Sequence, residues 1–300
     1  MLFRSHPEHC KEGPLKQALE TIDRLIEQDL QPAKEGWVEI SKGVAKERQI
    51  SIEDDEMRHG RKSKSKRFDG YKRQIARDLD GRVILAATVT PGNRSDSEAL
   101  GELLERATEE RELLSLHVDR QYLHAAEVLP LKESGVEVFC RAPASSNRDG
   151  LFTKREFEID LETKVAQCPN GEEVSFELGQ TIEFPAEKCD ICPLREQCTK
   201  RKLGGGRTIK IHPNEEFFKE LRLFETSPEG RAKLRPRVDV EHCLAHVGQR
   251  QGDKARYIGA RKNTFELRIV CAIQNLERTQ ALATEKEQRP AEEDRLQQAA

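Results

Sequence analysis

The sequence predicts a mixed α/β protein carrying a small cysteine-rich β segment, and three observations point there. Two strand-like runs, Gly70–Leu79 and Arg82–Thr90, flank Asp80-Gly81, a strong short-range hairpin signal. Apolar strands at Leu114–Val118 and Val136–Cys140 then alternate with helical stretches, giving β-β-α-β-α-β. From Arg148 to His212 the character changes, and Cys168, Cys189, Cys192 and Cys198 fall among short strand-like pieces.

Each element has a local reason. Leu15, Ala18, Leu19, Ile22, Leu25 and Ile26 follow a helical period, ended by Pro32-Ala-Lys-Glu-Gly36. The charged stretch to Asp55 reads as a connector. Thr90-Pro-Gly-Asn93 breaks the second hairpin strand, and Ser95 is an N-cap for a helix through Ala99, Leu100, Leu103, Leu104 and Ala107. A helix is expected over His124–Lys132. Strand pieces at Phe157–Asp160, Thr181–Phe184 and Thr208–Ile211 frame the cysteines. Asn214–Thr226 is helical, Ser227-Pro-Glu-Gly230 caps it, and a helix starting near Arg231 carries Glu241. Leu267, Val270, Cys271, Ile273 and Leu276 place the last helix over Phe265–Gln280, and 281–300 reads as a disordered tail.

Composition narrows the function classes. No run of eighteen apolar residues exists, and the N-terminus lacks the apolar core of a secretion signal, so a cytoplasmic protein without a membrane span is expected. The net charge of −3 does not advertise a nucleic-acid binder, but the basic residues are clustered. Arg58–Arg73, Thr199–Lys210 and Lys254–Arg268 each concentrate lysine and arginine, enough to meet phosphates or simply to form solvated faces. Eight cysteines in a cytoplasmic chain argue for thiols or metal rather than disulfides. Cys140, Cys243 and Cys271 lie in apolar surroundings and read as buried small hydrophobes.

Two carboxylates stand out. Asp119 ends an apolar strand, where α/β folds present catalytic groups, although an aspartate there also caps a following turn. Glu241 follows Arg237 by one helical turn, which equally describes a surface ion pair. His242 and His246 share a helix face, but Glu-His-x-x-x-His is not the zinc-peptidase pattern. The cysteine spacing Cys168-x20-Cys189-x2-Cys192-x5-Cys198 suits a closed structural zinc site, with free thiols or an iron–sulfur centre as the alternatives.

In chain order, Arg58-His-Gly-Arg-Lys-Ser-Lys-Ser-Lys-Arg-Phe-Asp-Gly-Tyr-Lys72, Val89-Thr-Pro-Gly-Asn93 and Asp119-Arg-Gln-Tyr122 resemble the DDE transposases of bacterial insertion sequences, of the IS4/IS5-like superfamily. So do Cys189-Asp-Ile-Cys-Pro-Leu-Arg-Glu-Gln-Cys198, Arg237-x-x-x-Glu241 and Arg256-Tyr-Ile-Gly-x-Arg-Lys262. The resemblance, from about Ile50 to Arg278, implies a ribonuclease H-like mixed sheet over 57–147 and 213–280. It also implies a zinc-ribbon-like insertion at 148–212, with 1–56 as the remnant of a helical insertion.

Carried over, Asp119 matches the second acidic residue, Glu241 the third, and Arg237 the arginine one turn earlier. Gly248 occupies the spacing of a helix lysine, with Arg250 as a stand-in. The first aspartate has no counterpart: Asp23, Asp29, Asp54, Asp55, Asp69 and Asp80 do not sit on an apolar strand before hydroxyl residues. The chain is therefore expected to be an N-terminally truncated transposase with impaired DNA cleavage and strand transfer.

The resemblance further implies two Mg²⁺ ions at Asp119 and Glu241, while the expectation of Zn²⁺ at Cys168, Cys189, Cys192 and Cys198 rests on their spacing alone. Double-stranded DNA would meet Arg58, Arg61, Lys62, Lys64, Lys66, Arg67, Lys72, Arg120, Tyr122, Arg237, Arg256, Arg261 and Lys262. A nucleoid-associated protein that self-associates or joins a full-length relative is expected, the alternative being a non-catalytic DNA-binding or multimerising fragment.

Overall fold

The computed structural model describes residues 13–33, 36–45, 47–61, 65–144 and 150–298, with 285–298 described for the backbone alone. In chain order, α1 (Pro14–Asp29) precedes the strand pair β1 (Leu30–Pro32) and β2 (Val38–Ile40). Next come β3 (Arg58–Arg61), β4 (Arg67–Arg77), β5 (Ile84–Pro91), α2 (Leu100–Ala107), β6 (Ser115–His117), α3 (Val128–Glu133) and β7 (Glu137–Phe139). Short strands β8 (Glu158–Asp160), β9 (Val165–Gln167), β10 (Glu173–Ser175), β11 (Thr181–Glu183) and β12 (Thr208–Lys210) frame α4 (Ala186–Asp190) and α5 (Arg195–Cys198). The helices α6 (Glu215–Thr226), α7 (Pro228–Leu234), α8 (Arg237–Gln251) and α9 (Ala260–Gln298) follow. Among the described residues, no helix is long and apolar enough to cross a membrane.

The chain divides into two compact units. One holds the described parts of Met1–Leu114, Gln121–Val136 and Pro236–Ala300; the other holds Ser115–Arg120 and the described parts of Glu137–Arg235. These borders differ from the expected ones, because β6, β7, α6 and α7 go with the cysteine-bearing strands. Strands β3, β4 and β5 form one antiparallel sheet, whereas β6 and β7 form a separate parallel pair. The described strands thus give a mixed α/β structure of several small sheets rather than one continuous mixed sheet.

In the first unit, β4 changes partner at Gly70. Arg67–Gly70 pairs with β3, and Tyr71–Arg77 pairs with β5. Gly70 has φ 137°, a conformation that side-chain-bearing residues rarely adopt. The β4–β5 loop is wider than a two-residue Asp-Gly turn: it spans 78–83, is closed by Asp78 N–H to Val83 O at 2.9 Å, and takes its positive φ at Arg82 (57°). Asp78 also accepts the Gly81 amide, so the carboxylate organises the turn.

Both faces of β5 are covered. Ile84, Ala87 and Val89 pack with Cys243 and Val247 of α8 and Leu267 and Cys271 of α9. Ala86 packs with Ala99 and Leu103 from the α2 side. The polar edge of β5 is met by side chains of α9. Asn275 donates to Ile84 O and accepts from Ile84 N, both at 2.8 Å. Arg268 Nε donates to Ala87 O at 2.9 Å, and Val89 N donates to Thr264 Oγ1 at 3.2 Å.

Several boundaries moved for clear reasons. The expected helix over His124–Lys132 is a 3₁₀ turn at Arg120–His124 followed by α3, which begins at Val128 so that Pro130 falls in its first turn. The expected helix from Arg231 through Glu241 is interrupted before Pro236, which lacks an N–H and caps α8 instead. Ser95 does cap its helix, in a full capping box with Glu98. Residues 281–298, expected as a disordered tail, continue α9; alanine, glutamate, glutamine and arginine are strong helix formers.

In the second unit, Phe157, Ala166, Phe176, Ile182, Phe184, Ile209 and Ile211 form the core of the β8–β12 region. Glu215, at the start of α6, is only 1% exposed and is paired with Lys154 and, at 2.9 Å, Arg222. Burial pushes its carboxyl up, but the hydrogen bonds from Lys154 and Arg222 outweigh that and hold it below the usual glutamate range.

The α9 contacts make a prediction. Asn275→Ala leaves Ile84 N–H and C=O without their partner and should destabilise the protein by about 1–3 kcal/mol. Leu276→Ala, at an exposed neighbour, should change stability by less than about 0.5 kcal/mol in the same denaturant titration.

Candidate active site

Asp119 is delivered by the parallel pair of β6 and β7. Val118 extends the pairing by donating to Phe139 O at 3.0 Å and is itself buried, leaving Asp119 exposed at the strand end. Its Oδ1 accepts the Arg120 amide at 2.7 Å, as expected of an aspartate opening a turn. Arg120 Nη2 lies 3.4 Å from Glu225 Oε1, and Glu225 Oε2 accepts the Ala142 amide at 3.2 Å. His117 packs on Phe139 with ring centroids 4.6 Å apart. Burial lowers the His117 pKa, helped by Lys233 and opposed by Glu137. Tyr122 falls in the other unit, where its hydroxyl bonds Gln74.

Glu241 lies on α8, whose Cys243 and Val247 face the core. That register turns Glu241, His242 and His246 outward. Arg237 Nη2 is 3.1 Å from Glu241 Oε1, one turn away. The first turn is fastened to the β4–β5 hairpin, since Arg77 Nη1 donates to Asp239 O at 2.7 Å. Arg250, the expected stand-in for the family's lysine, instead makes two hydrogen bonds to Glu277 of α9, at 2.8 and 2.5 Å. Asp119 and Glu241 belong to different units, and each is placed only within its own.

Asp54 is a buried structural carboxylate that sequence reasoning missed. It is 2% exposed and accepts the Tyr71 hydroxyl at 2.7 and 2.9 Å, the Gly259 amide at 3.0 Å, and the Glu56 and Met57 amides at 3.2 Å. Burial, then the bond to Asp54, drives the Tyr71 hydroxyl far above its ordinary range. Glu56 accepts the Ala260 amide, so residues 54–56 cap α9 from a distance of two hundred residues in sequence. This joins the Arg58 and Arg256 motifs in one place. The spacing Ser51-x-x-Asp54, in which Ser51 Oγ accepts the Asp54 amide at 3.1 Å, was the available signal.

Several of the expected DNA-contacting residues are engaged by groups of the protein. Arg58 donates to Asp55 O and Met57 O, Lys72 to Arg94 O and Asp96, and Arg256 pairs with Glu266 at 3.3 Å. Arg61, Lys66, Arg67, Arg261 and Lys262 are exposed, with Arg61 directly opposite Arg67 on the β3–β4 ladder. Lys62 and Lys64 lie outside the described residues.

The four clustered cysteines meet around one cavity of about 30 Å³, with Phe152, Phe184 and Arg207 among its other walls. Cys168 opens the β9–β10 turn, where its Sγ accepts the Glu172 amide at 3.3 Å. Cys189 ends α4 and Cys198 ends α5, whose carbonyl accepts Arg207 Nη1 at 3.0 Å. Burial pushes the Cys198 thiol up, and Arg207 opposes that. None of the described cysteines is in a disulfide, and among the described residues no group of three or more His, Cys, Asp or Glu is set to hold a metal ion as it stands. Cys140, Cys243 and Cys271 are buried as expected; burial, then Cys243, pushes Cys271 up to about 12.

Residues 167–280, from the first clustered cysteine through α8 and into α9, match the family model described as "Transposase DDE domain". No curated protein and no solved structure matches the chain. The match supports a DDE transposase and covers Glu241 but not Asp119.

The different settings of the acids predict different costs. Asp119→Asn and Glu241→Gln should each shift the unfolding free energy by less than about 0.5 kcal/mol, because both side chains are exposed. Glu215→Gln should cost about 3 kcal/mol, since it leaves Lys154 and Arg222 without their buried partner. Guanidinium unfolding of the three variants checks this ordering.

Proposed function

We propose that this chain is part of a DDE transposase, acting on double-stranded DNA in metal-dependent cleavage and strand transfer, with Asp119 and Glu241 as two of the catalytic carboxylates. The observation that carries this reading is the family match over a segment in which Glu241 stands exposed on a helix clamped to the β4–β5 hairpin, one turn after Arg237. Exposed carboxylates at a strand end and on an anchored helix suit Mg²⁺, which prefers a few carboxylate oxygens and keeps several waters. Two such ions would activate the attacking oxygen and stabilise the leaving one. Arg237 would orient Glu241, and the turn amide of Arg120 would orient Asp119.

Arg61, Lys66 and Arg67 would hold DNA phosphates, as would Arg261 and Lys262 in the first turn of α9. Arg61 and Arg67 stand opposite each other on an antiparallel ladder, where like charges are unfavourable. A polyanion bound across them reverses that cost. Self-association, or association with a full-length relative near the nucleoid, completes the proposal.

A second reading is favoured by the state of the acids: a non-catalytic DNA-binding or multimerising fragment. Neither Asp119 nor Glu241 has an evident third partner in the sequence, and Asp54 has its oxygens occupied by Tyr71 and backbone amides. We therefore propose that cleavage by this chain alone is impaired.

Binding to duplex DNA of mixed sequence across a salt series tests the common part. Affinity should fall steeply with salt, and Arg61→Ala with Arg67→Ala should reduce the slope of log K against log salt by about 2. Salt-independent binding, or a slope unchanged in the double variant, would overturn the placement of DNA on this hairpin. Plasmid nicking in Mg²⁺ separates the two readings: efficient cutting that is lost in Glu241→Gln would refute impairment.

A further inference from the structure

We propose that Cys168, Cys189, Cys192 and Cys198 bind one structural Zn²⁺ ion as four thiolates, closing the β8–β12 region of the second unit. The four thiols come from a β-turn, a short helix, the loop after it and the end of a second short helix, yet all line the same cavity. Its volume, about 30 Å³, has room for an ion.

Two other uses of cysteine fit the molecule less well. Cys140, Cys243 and Cys271 show what cysteine does here as a core residue: each is buried, at most 4% exposed. The clustered four are all only half-buried and surround empty space. Disulfide pairing is not adopted by any of them.

Local geometry supplies donors beside two of the sulfurs. The Cys168-Pro-Asn-Gly171 turn takes a positive φ at Gly171 (84°) and points the Glu172 amide at Cys168 Sγ. An amide aimed at sulfur stabilises the anionic form, as outer-shell donors do at metal sites. Arg207 adds a positive charge beside Cys198 and ties that carbonyl to Phe152 O, at 3.0 and 2.8 Å.

The module also needs a staple. Its strands are three residues each, in one two-stranded and one three-stranded sheet, and sheets that small are marginal unaided. No three of the thiols are set to hold an ion in the structure, so the proposal requires them to close over the cavity on loading. The step balances as Zn²⁺ plus four thiols giving a tetrathiolate zinc and four protons, so affinity rises with pH.

The test is metal analysis of the whole purified chain, followed by titration of its thiols with an organomercurial in the presence of a chromogenic chelator. About one zinc per chain is expected, released as the clustered thiols are consumed. Cys189→Ser and Cys192→Ser should lose the metal, while Cys243→Ser keeps it. If the first two variants do not fold, reconstitution of the unaltered chain with Co²⁺ replaces them, and tetrahedral thiolate-to-cobalt bands are the expected result. An octahedral cobalt spectrum, bound iron with sulfide, or trace zinc unaffected by Cys189→Ser would overturn the proposal. None of these readouts involves DNA, so the outcome is separate from that of the transposase reading on which the wider interpretation rests.

Discussion

The edge of β5 is the constraint on which the first unit depends. A strand with both faces buried still has a row of backbone amides and carbonyls along its edge, and leaving them unpaired costs free energy comparable to lost hydrogen bonds. α9 meets that row with Thr264, Arg268 and Asn275, while its Leu267 and Cys271 enter the core. The same helix therefore completes the sheet and buries one face. With α9 fixed, α8 has one seat, Cys243 and Val247 inward, and the position of Glu241 on the surface follows from that register.

The carboxylates sort by what they face. Asp54 in one unit and Glu215 in the other are buried, and each holds together backbone or cationic groups from distant parts of the chain. Such a group has its oxygens occupied by donors of the protein itself. Asp119 and Glu241 are exposed, at the end of a parallel strand and on the outer face of a helix. A metal ion that keeps water in its shell needs ligands of the second kind.

Local signals in the sequence carried well where the structure is local. Ser95 with Glu98, and Ser227 with Pro228, mark helix starts because capping uses only neighbouring residues. The β4–β5 hairpin was visible in its two strand-like runs, although its turn was not: Asp78 organises the turn, and the positive φ falls at Arg82 rather than Gly81. The start of α9 at Ala260 was hidden, because Asp54 and Glu56 supply its caps from far away. The engagement of Arg250 by Glu277 was hidden for the same reason. Asp119 and Glu241 were legible as carboxylates in suggestive places, with the turn after Asp119 and the pairing of Glu241 with Arg237 one turn earlier, whereas the contact of Arg120 with Glu225 took the folded chain to define.

The most direct test of the proposed role of Asp119 and of Glu241 as ligands of a divalent ion is affinity cleavage with Fe²⁺ in place of Mg²⁺. Bound ferrous ion in the presence of ascorbate and peroxide cuts the polypeptide backbone close to the metal. Cuts are predicted around Asp119 and around Glu241, suppressed by excess Mg²⁺ and reduced around each residue in its own alanine variant, Asp119→Ala or Glu241→Ala. Cuts near neither residue, or cuts that neither variant alters, would contradict the proposed role.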